Sequence, residues 1–293
     1  MKIINNRRGI ILAGGYGSRL YPTTFVVSKQ LLPIFNKPMI YYALSVLMFC
    51  GIRDILIITT PRDLNAFKLL LGDGSNFGLK IQYTKQKKPE GLAQAFLLAE
   101  DFIEDKSCTL ILGDNFFYGQ NLTSKLINCT KLKNGAKVIL HKVIKPELFG
   151  VAKISKTGKI ISLKEKPKKY ISDLAVTGLY FFDKNVVEYS KKLKPSTRNE
   201  LEITDLLKIY LNKKKLTSDI LGRGGAWLDT GSIDDFYKTS AFVSAIENRQ
   251  GFKIACLEEI AFNNKWIGKK EILNAIQFYG KCDYSNYLKK LIS

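Results

Sequence analysis

The sequence predicts an α/β fold with a mostly parallel, mixed sheet flanked by helices, on three observations. Short branched apolar runs at residues 9–13, 54–60 and 108–112 read as strands buried on both faces. Helical segments separate them, and such strand-loop-helix repetition closes into parallel pairs. In the second half, runs at 136–145, 150–155, 159–164 and 176–182 read as strands joined by turns, with a hairpin signal at Lys156-Thr157-Gly158.

In chain order, the first strand runs into Gly14, Gly15 and Gly17, which let the backbone turn sharply and bring peptide N–H groups against a ligand. Arg19 adds a cationic fork suited to phosphate oxygens, and Lys29 a mobile point charge. The pattern is neither a Walker loop, since Ser18-Arg19 follows Gly17, nor a dinucleotide fingerprint, since Leu20 stands at the third glycine position. A helix is expected from Lys37-Pro38 to Cys50, with Gly51 stopping it. Further helices are expected over 63–71 and 92–102, with a turn cluster at 72–76 and a strand at 79–84 between them. Amphipathic helices follow at 202–211 and at 234–248 behind a Ser232 cap. Short helical pieces at 257–261, 269–276 and 287–292 complete the chain. The reading is one α/β domain over residues 1–250 with a small helical carboxyl-terminal region, 251–293, packed on it.

With 293 residues, 46% apolar and 25% charged, the chain has the composition of an ordinary soluble protein with a large core. No apolar run reaches membrane-span length and the amino terminus lacks a signal peptide's apolar segment, so a cytoplasmic protein without a membrane partner is expected. Five scattered cysteines without a CxxC pair argue against zinc ribbons and redox motifs and fit buried, reduced thiols. The single histidine, His141, excludes histidine-based metal sites and reads as a packed strand residue. The net charge of +20 is carried by lysine runs without aromatic–basic interleaving, which reads as solvated surface rather than a nucleic-acid footprint.

Two aspartates stand where chemistry is expected. Asp114 directly follows a buried strand, and Asp229 sits in Trp227-Leu228-Asp229-Thr230-Gly231. Each reads either as a turn cap or as a ligand for magnesium, which on a nucleotide is held by one or two carboxylates plus phosphate oxygens. Glu165-Lys166-Pro167 reads either as a solvated strand edge or as a sugar and phosphate contact. Arg198 is either a phosphate clamp or a surface partner of Glu200 or Glu202.

Leu-Ala-Gly-Gly at Leu12, Ser-Lys-Gln-Leu-Leu-Pro at Ser28, Leu-Gly-Asp-Asn at Leu112, Leu-Glu-Ile-Thr-Asp at Leu201 and Ala-Trp-Leu-Asp-Thr-Gly at Ala226 occur in order. Together they resemble the sugar-phosphate nucleotidylyltransferases, and the Ser-Lys-Gln form the glucose-1-phosphate thymidylyltransferase branch. The resemblance implies a Rossmann-like nucleotidyltransferase fold and transfer of thymidylyl from dTTP to glucose 1-phosphate with Mg2+ in a homotetramer, early in deoxysugar synthesis such as that of dTDP-rhamnose. It further implies that Leu12, Gly14, Gly15, Gly17, Ser18, Arg19, Gln30, Gln86 and Gly91 hold the nucleotide and that Lys29 neutralises its triphosphate. By the same resemblance Asn115, Gly150, Glu165 and Val176 hold the sugar, Lys166 and Arg198 its phosphate, and Asp114 and Asp229 the metal. Arg19, Lys29, Asp114, Lys166 and Asp229 would carry catalysis. Departures from the family pattern are Tyr16 and Ser18 in the glycine loop, Phe149 where tyrosine is usual, and Asn263 where an arginine is expected near a second, regulatory nucleotide site. The same chemistry with UTP or another sugar 1-phosphate, and a non-catalytic nucleotide-binding protein, are the competing readings.

Overall fold

The computed structural model of the chain describes residues 6–293. Strand β1 (Arg8–Ala13) lies inside a nine-stranded sheet. Beyond the glycine loop, β2 (Pro33–Ile34) and β3 (Lys37–Pro38) pair as a small hairpin before α1 (Ile40–Phe49). The helix expected from Lys37 therefore begins three residues later. Pro38 keeps the residue before it out of the helical region, so Lys37 is extended.

The parallel block is completed by β4 (Asp54–Thr59), α2 (Leu64–Leu71), β5 (Lys80–Lys85), α3 (Gln94–Leu98), α4 (Glu100–Ile103) and β6 (Cys108–Leu112). The single helix expected over 92–102 is two, broken at Ala99, a break with no signal in the sequence. Besides the β2–β3 hairpin, the elements absent from the sequence reading are β7 (Asn115–Gly119), α5 (Leu122–Thr130) and, later, α6 (Val186–Lys191) and the edge strand at Leu216–Ile220. The antiparallel part comprises β8 (Ala136–Lys142), β9 (Gly150–Ile154), β10 (Ile160–Glu165) and β11 (Leu174–Phe182). It is followed by α7 (Ile203–Asn212), β12 (Leu216–Ile220), β13 (Gly225–Asp229) and α8 (Ile233–Gln250). Ser232 caps α8 by accepting the Asp235 N–H at 3.1 Å. The carboxyl-terminal helices are α9 (Leu257–Asn263), α10 (Lys269–Tyr279) and α11 (Asp283–Ile292).

The strand order β5-β4-β1-β6 is parallel throughout, and β11 joins β6 antiparallel. β8 lies along β11, with β12 parallel to β8 at the edge, while β9 meets β11 at Ala175 and carries β10. Alternate residues enter two cores, as the period of a strand requires. Ile11, Ile57, Ile111 and Phe181 face α1, α5 and α9, whereas Ile10, Ile58, Leu110 and Phe182 face α3, α6 and α7. A third core joins the β2–β3 hairpin, β7 and α8 through Ile34, Met39, Phe116 and Val243.

Cys50, Cys108, Cys129 and Cys256 are buried, but Cys282 is exposed. The expectation of buried thiols fails there because Cys282 caps α11, accepting the Ser285 N–H on its sulfur. Lys37 and Glu247 form a buried ion pair at 2.7 Å, with side chains 2% and 4% exposed, and Glu247 also accepts the Ile254 N–H. Lys37→Ala is expected to destabilise the fold by about 3 kcal/mol, since Glu247 keeps only Asn36, the Ile254 N–H and Lys253 at 3.5 Å. Denaturant melts check this, and a loss under about 1 kcal/mol would show that these remaining partners suffice.

Candidate active site

Because β4 lies on one side of β1 and β6 on the other, the loops leaving the carboxyl ends of β1 and β6 diverge and open a crevice, where α/β sheets bind ligands. A cavity of about 450 Å³ lies there. One wall is the glycine loop. Gly17 sits at φ +61°, in the left-handed region, with its carbonyl accepting Thr24 Oγ1 at 2.7 Å, and the short helical turn Ser18–Leu20 follows. A Cβ on Gly14 would come within 1.9 Å of Gln86 Oε1, so any side chain there would displace the Gln86 amide from its bond to Gln94.

The floor is built from the end of β6. Gly113 N–H bonds to Leu12 O at 2.9 Å, which holds the chain straight into Asp114. The β7–β13 ribbon pairs Asn115 with Asp229, so both predicted carboxylates emerge at one end of it. Lys29 Nζ reaches Asp114 Oδ2 at 2.6 Å and Thr230 O at 3.1 Å. Asn115 Nδ2 donates to Asp114 Oδ1 at 2.9 Å, and its Oδ1 accepts from Gly178 N–H and Trp227 Nε1. Burial pushes the Asp114 pKa up, but the Lys29 charge and hydrogen bond outweigh it and hold Asp114 below the usual range. Asp229 goes the other way. Burial first, and then the Asp114 charge, raise it to about 6. Among the described residues its carboxylate accepts no hydrogen bond, and the nearby Lys29 and Arg19 charges offset its burial and the Asp114 repulsion only in part.

The opposite end of the cavity is polar. Glu165, closing β10, accepts Thr204 Oγ1 with one oxygen and lies 3.5 Å from Arg198 Nη2 with the other. Arg198 is taken up mainly by Glu202, with contacts of 2.8–3.1 Å, and stands 3.5 Å from Glu200. It thus makes the carboxylate pairs the sequence suggested. Lys166 adopts φ +40°, which costs a non-glycine residue about 1 kcal/mol. It is held there by its N–H to Phe149 O at 2.9 Å. Phe149 packs edge-on against Trp227 at 5.1 Å between ring centres, so a ring without a hydroxyl serves packing at this position.

Arg19, Lys29, Asp114, Lys166 and Asp229 all line the cavity, as do Gly14, Gly15, Gly17, Ser18, Gln30, Asn115, Gly150, Glu165, Val176 and Arg198. Leu12, Gln86 and Gly91 lie outside its wall. Leu12 is buried in the sheet, Gln86 donates to Gln94 Oε1 behind Gly14, and Gly91 at φ +100° packs on the Leu201 backbone. His141 stays on β8, edge-on to Trp227, with burial lowering its pKa. Sequence reasoning missed Thr204, Tyr180 and Trp227, which also line the cavity. Trp227 had a signal, since it sits two residues before Asp229.

The nucleotidyl transferase family profile matches residues 8–246. The chain is 52% identical over 285 residues to a glucose-1-phosphate thymidylyltransferase of Neisseria gonorrhoeae, covering 97% of this chain and 99% of the relative. The chain belongs to the nucleotidyl transferase family. A second relative of the same name, from Xanthomonas campestris pv. campestris, is 50% identical, covering 98% of each chain. Among solved structures, a UDP-glucose pyrophosphorylase complexed with UDP-glucose superposes with a TM-score of 0.71 at 26% identity, covering 83% of this chain and 99% of that one. A provisionally assigned glucose-1-phosphate thymidylyltransferase from Bacillus anthracis, in complex with a sucrose, superposes with a TM-score of 0.75 at 45% identity, covering 80% and 94%.

Nucleotidyl transferases of this family generally use a divalent metal. The donor set of this member fits one that takes most of its ligands from elsewhere. Two carboxylates share the floor, and no cluster of three or more metal-ligating side chains occurs among the described residues. Two carboxylates pushing against each other are also what a cation would relieve. Among the described residues, no helix is long and apolar enough to cross a membrane.

Proposed function

We propose that this nucleotidyl transferase is a glucose-1-phosphate thymidylyltransferase, converting dTTP and glucose 1-phosphate to dTDP-glucose and pyrophosphate. The observation that carries the reading is the convergence of Lys29, Asp114 and Asp229 on the floor of one cavity, between the glycine loop and the Glu165–Arg198 end. Glycine-loop peptide N–H groups and Arg19 hold the triphosphate, with Gln30, Gln86 and Gly91 completing the nucleotide side. Asn115, Gly150, Glu165 and Val176 hold the sugar, and Lys166 and Arg198 its phosphate.

A phosphate oxygen of glucose 1-phosphate attacks the α-phosphorus of dTTP. The bond to the α–β bridging oxygen breaks, and pyrophosphate leaves with the electron pair. The nucleophile is already anionic, so no strong base is required and positioning with charge neutralisation does the work. Lys29 stabilises charge on the α-phosphate in this reading, which its hydrogen bond to Thr230 O supports by fixing the ammonium on the cavity floor. Mg2+, held by Asp114 and Asp229, would supply Lewis-acid neutralisation of the polyphosphate. Arg198 exchanges Glu202 for the sugar phosphate on binding. The protein is assigned to the cytoplasm, as a homotetramer without a nucleic-acid or membrane partner. Residues 1–250 form the catalytic domain, 251–293 form its helical appendage, and the product feeds dTDP-deoxysugar synthesis such as that of dTDP-rhamnose.

Two results test the reading. Glucose 1-phosphate labelled in the sugar should yield labelled dTDP-glucose and one pyrophosphate per product, whereas release of dTMP or unlabelled product would overturn it. The pH profile follows from Asp229. Without metal its folded pKa is raised to about 6, so proton and Mg2+ compete for the carboxylate below that pH. The Mg2+ concentration giving half-maximal activity should therefore rise as pH falls from 8 to 5. A Mg2+ requirement that stays the same over that range would mean that Asp229 is not a metal ligand.

A further inference from the structure

Asp63 is 3% exposed, in the connection between β4 and α2, and forms no part of the cavity wall. Its carboxylate is nonetheless fully engaged. Oδ1 accepts the Ser28 N–H at 3.1 Å and Arg62 Nε at 3.1 Å, while Oδ2 accepts Thr60 Oγ1 at 2.6 Å and Arg62 Nη2 at 3.1 Å. Ser28 opens the helical turn Lys29–Leu31, accepts the Leu31 N–H at 3.0 Å, and donates its hydroxyl to Gln30 Oε1 at 2.6 Å. Lys29, between these two anchored residues, is thereby aimed at Asp114. Arg62 extends the clamp to Phe25 O at 2.8 Å. The segment it grips has little burial of its own, since Tyr21, Phe25 and Val26 are 44%, 66% and 78% exposed. Polar anchors rather than apolar packing therefore fix this stretch, and Asp63 supplies the one nearest Lys29.

We propose that Asp63 is a positioning residue for the reaction, holding the Ser28–Leu31 turn so that the Lys29 ammonium meets the triphosphate already oriented. This rests on the assignment of Lys29 to the triphosphate. A carboxylate here satisfies a buried backbone N–H and a buried hydroxyl at once. An asparagine keeps the size but has one acceptor oxygen in place of two, so whichever way the amide turns its Nδ2 meets an Arg62 N–H, and the charged grip on the turn is lost.

The test is a double-mutant cycle in the full chain, reading kcat, KM for dTTP and Tm for Asp63→Asn, Lys29→Ala and the two combined. Asp63→Asn is expected to lower kcat about tenfold or more with KM for dTTP changing less than about threefold. In the Lys29→Ala background it should cause no further loss, because it acts through the group already removed. Thr60→Val, which deletes the 2.6 Å donor to Asp63 Oδ2 and the hydroxyl that accepts the Asp63 N–H at 3.2 Å while leaving the contact to Ser28, should give the same pattern at smaller amplitude and serves if Asp63→Asn fails to fold. Asp183→Asn is the stability control. That aspartate is buried beyond the site, accepting Gly135 N–H and Tyr210 Oη, and its loss should lower Tm while kcat holds. Multiplicative losses in the double variant would overturn the proposal, as would wild-type kcat in Asp63→Asn or a fall in kcat that tracks Tm in Asp183→Asn as well. Wild-type kcat in Lys29→Ala would instead overturn the assignment of Lys29 itself, and the positioning role with it.

Discussion

Asp229→Asn is expected to lower turnover about a hundredfold or more while leaving the fold as stable as before, or more so at pH 8. The turnover loss follows from removing one of the two floor carboxylates. The stability gain follows from the sign of its pKa shift. The folded value is raised above the unfolded one, so the stability this group contributes is full below its usual range near 3.8 and is lost as pH rises through about 6. At pH 8 the native protein carries that cost, up to about 3 kcal/mol and less to the extent that solvent reaches the group. Asparagine removes the charge, and among the described residues the Asp229 side chain gives up no hydrogen bond. Steady-state kinetics and thermal melts at pH 8 check both halves. Near-normal turnover would remove Asp229 from the metal site, and a lower Tm would mean that its charge holds the fold.

Lys29→Ala is expected to lower kcat about 10²–10³-fold and, unlike the Asp229 change, to destabilise the protein. The ammonium is 9% exposed and is the counter-charge of Asp114, whose depressed pKa depends on it. Without it the half-buried Asp114 carboxylate stands beside Asp229 with no cation in hydrogen-bond contact among the described residues and with the Asn115 amide as its side-chain donor, at a cost of about 1–3 kcal/mol. Kinetics separate two roles for the lysine. A fall in kcat means that it compensates charge formed in the transition state, and a rise in KM alone means that it binds the ground state. The two variants thus move stability in opposite directions while both remove activity, a contrast that a generally damaged site would not produce.

Much of this arrangement is legible in the sequence because it is local. The run before Gly14 is apolar and branched and becomes β1, central to the sheet, and Asp114 follows a strand so closely that it has nowhere to point but the crevice. Ser232 caps α8 because its side chain needs only its own helix. What the sequence hides is pairing at a distance. β7 and β13 are each five residues long and unconvincing alone, and only their mutual register brings Asp229 beside Asp114. Thr204 stands inside Leu-Glu-Ile-Thr-Asp, but its role shows only in its contact with Glu165, 39 residues away, and Asp63, which lies in no motif, is revealed by its contact with Ser28, 35 away. The start of α1 differs because Pro38 at a helix start and Pro38 in a strand look alike until Lys37-Pro38 is seen to pair with Pro33-Ile34. Gln86 and Gly91 lie just behind the cavity wall, where Gln86 Oε1 abuts Gly14 and Gly91 backs onto Leu201. Neither contact is readable from a one-residue pattern.

The central claim, thymidylyl transfer to glucose 1-phosphate, is tested most directly by pyrophosphate release. The purified protein is given Mg2+ and glucose 1-phosphate with dTTP, UTP, CTP, ATP or GTP in turn. Rapid release with dTTP, slower release with UTP and little with the others is the predicted result. The margin over UTP should be modest, because one methyl group is worth only about 1–3 kcal/mol to a pocket. Faster release with a nucleotide other than dTTP would contradict the base assignment while keeping the chemistry. No release with any nucleotide would contradict the claim itself.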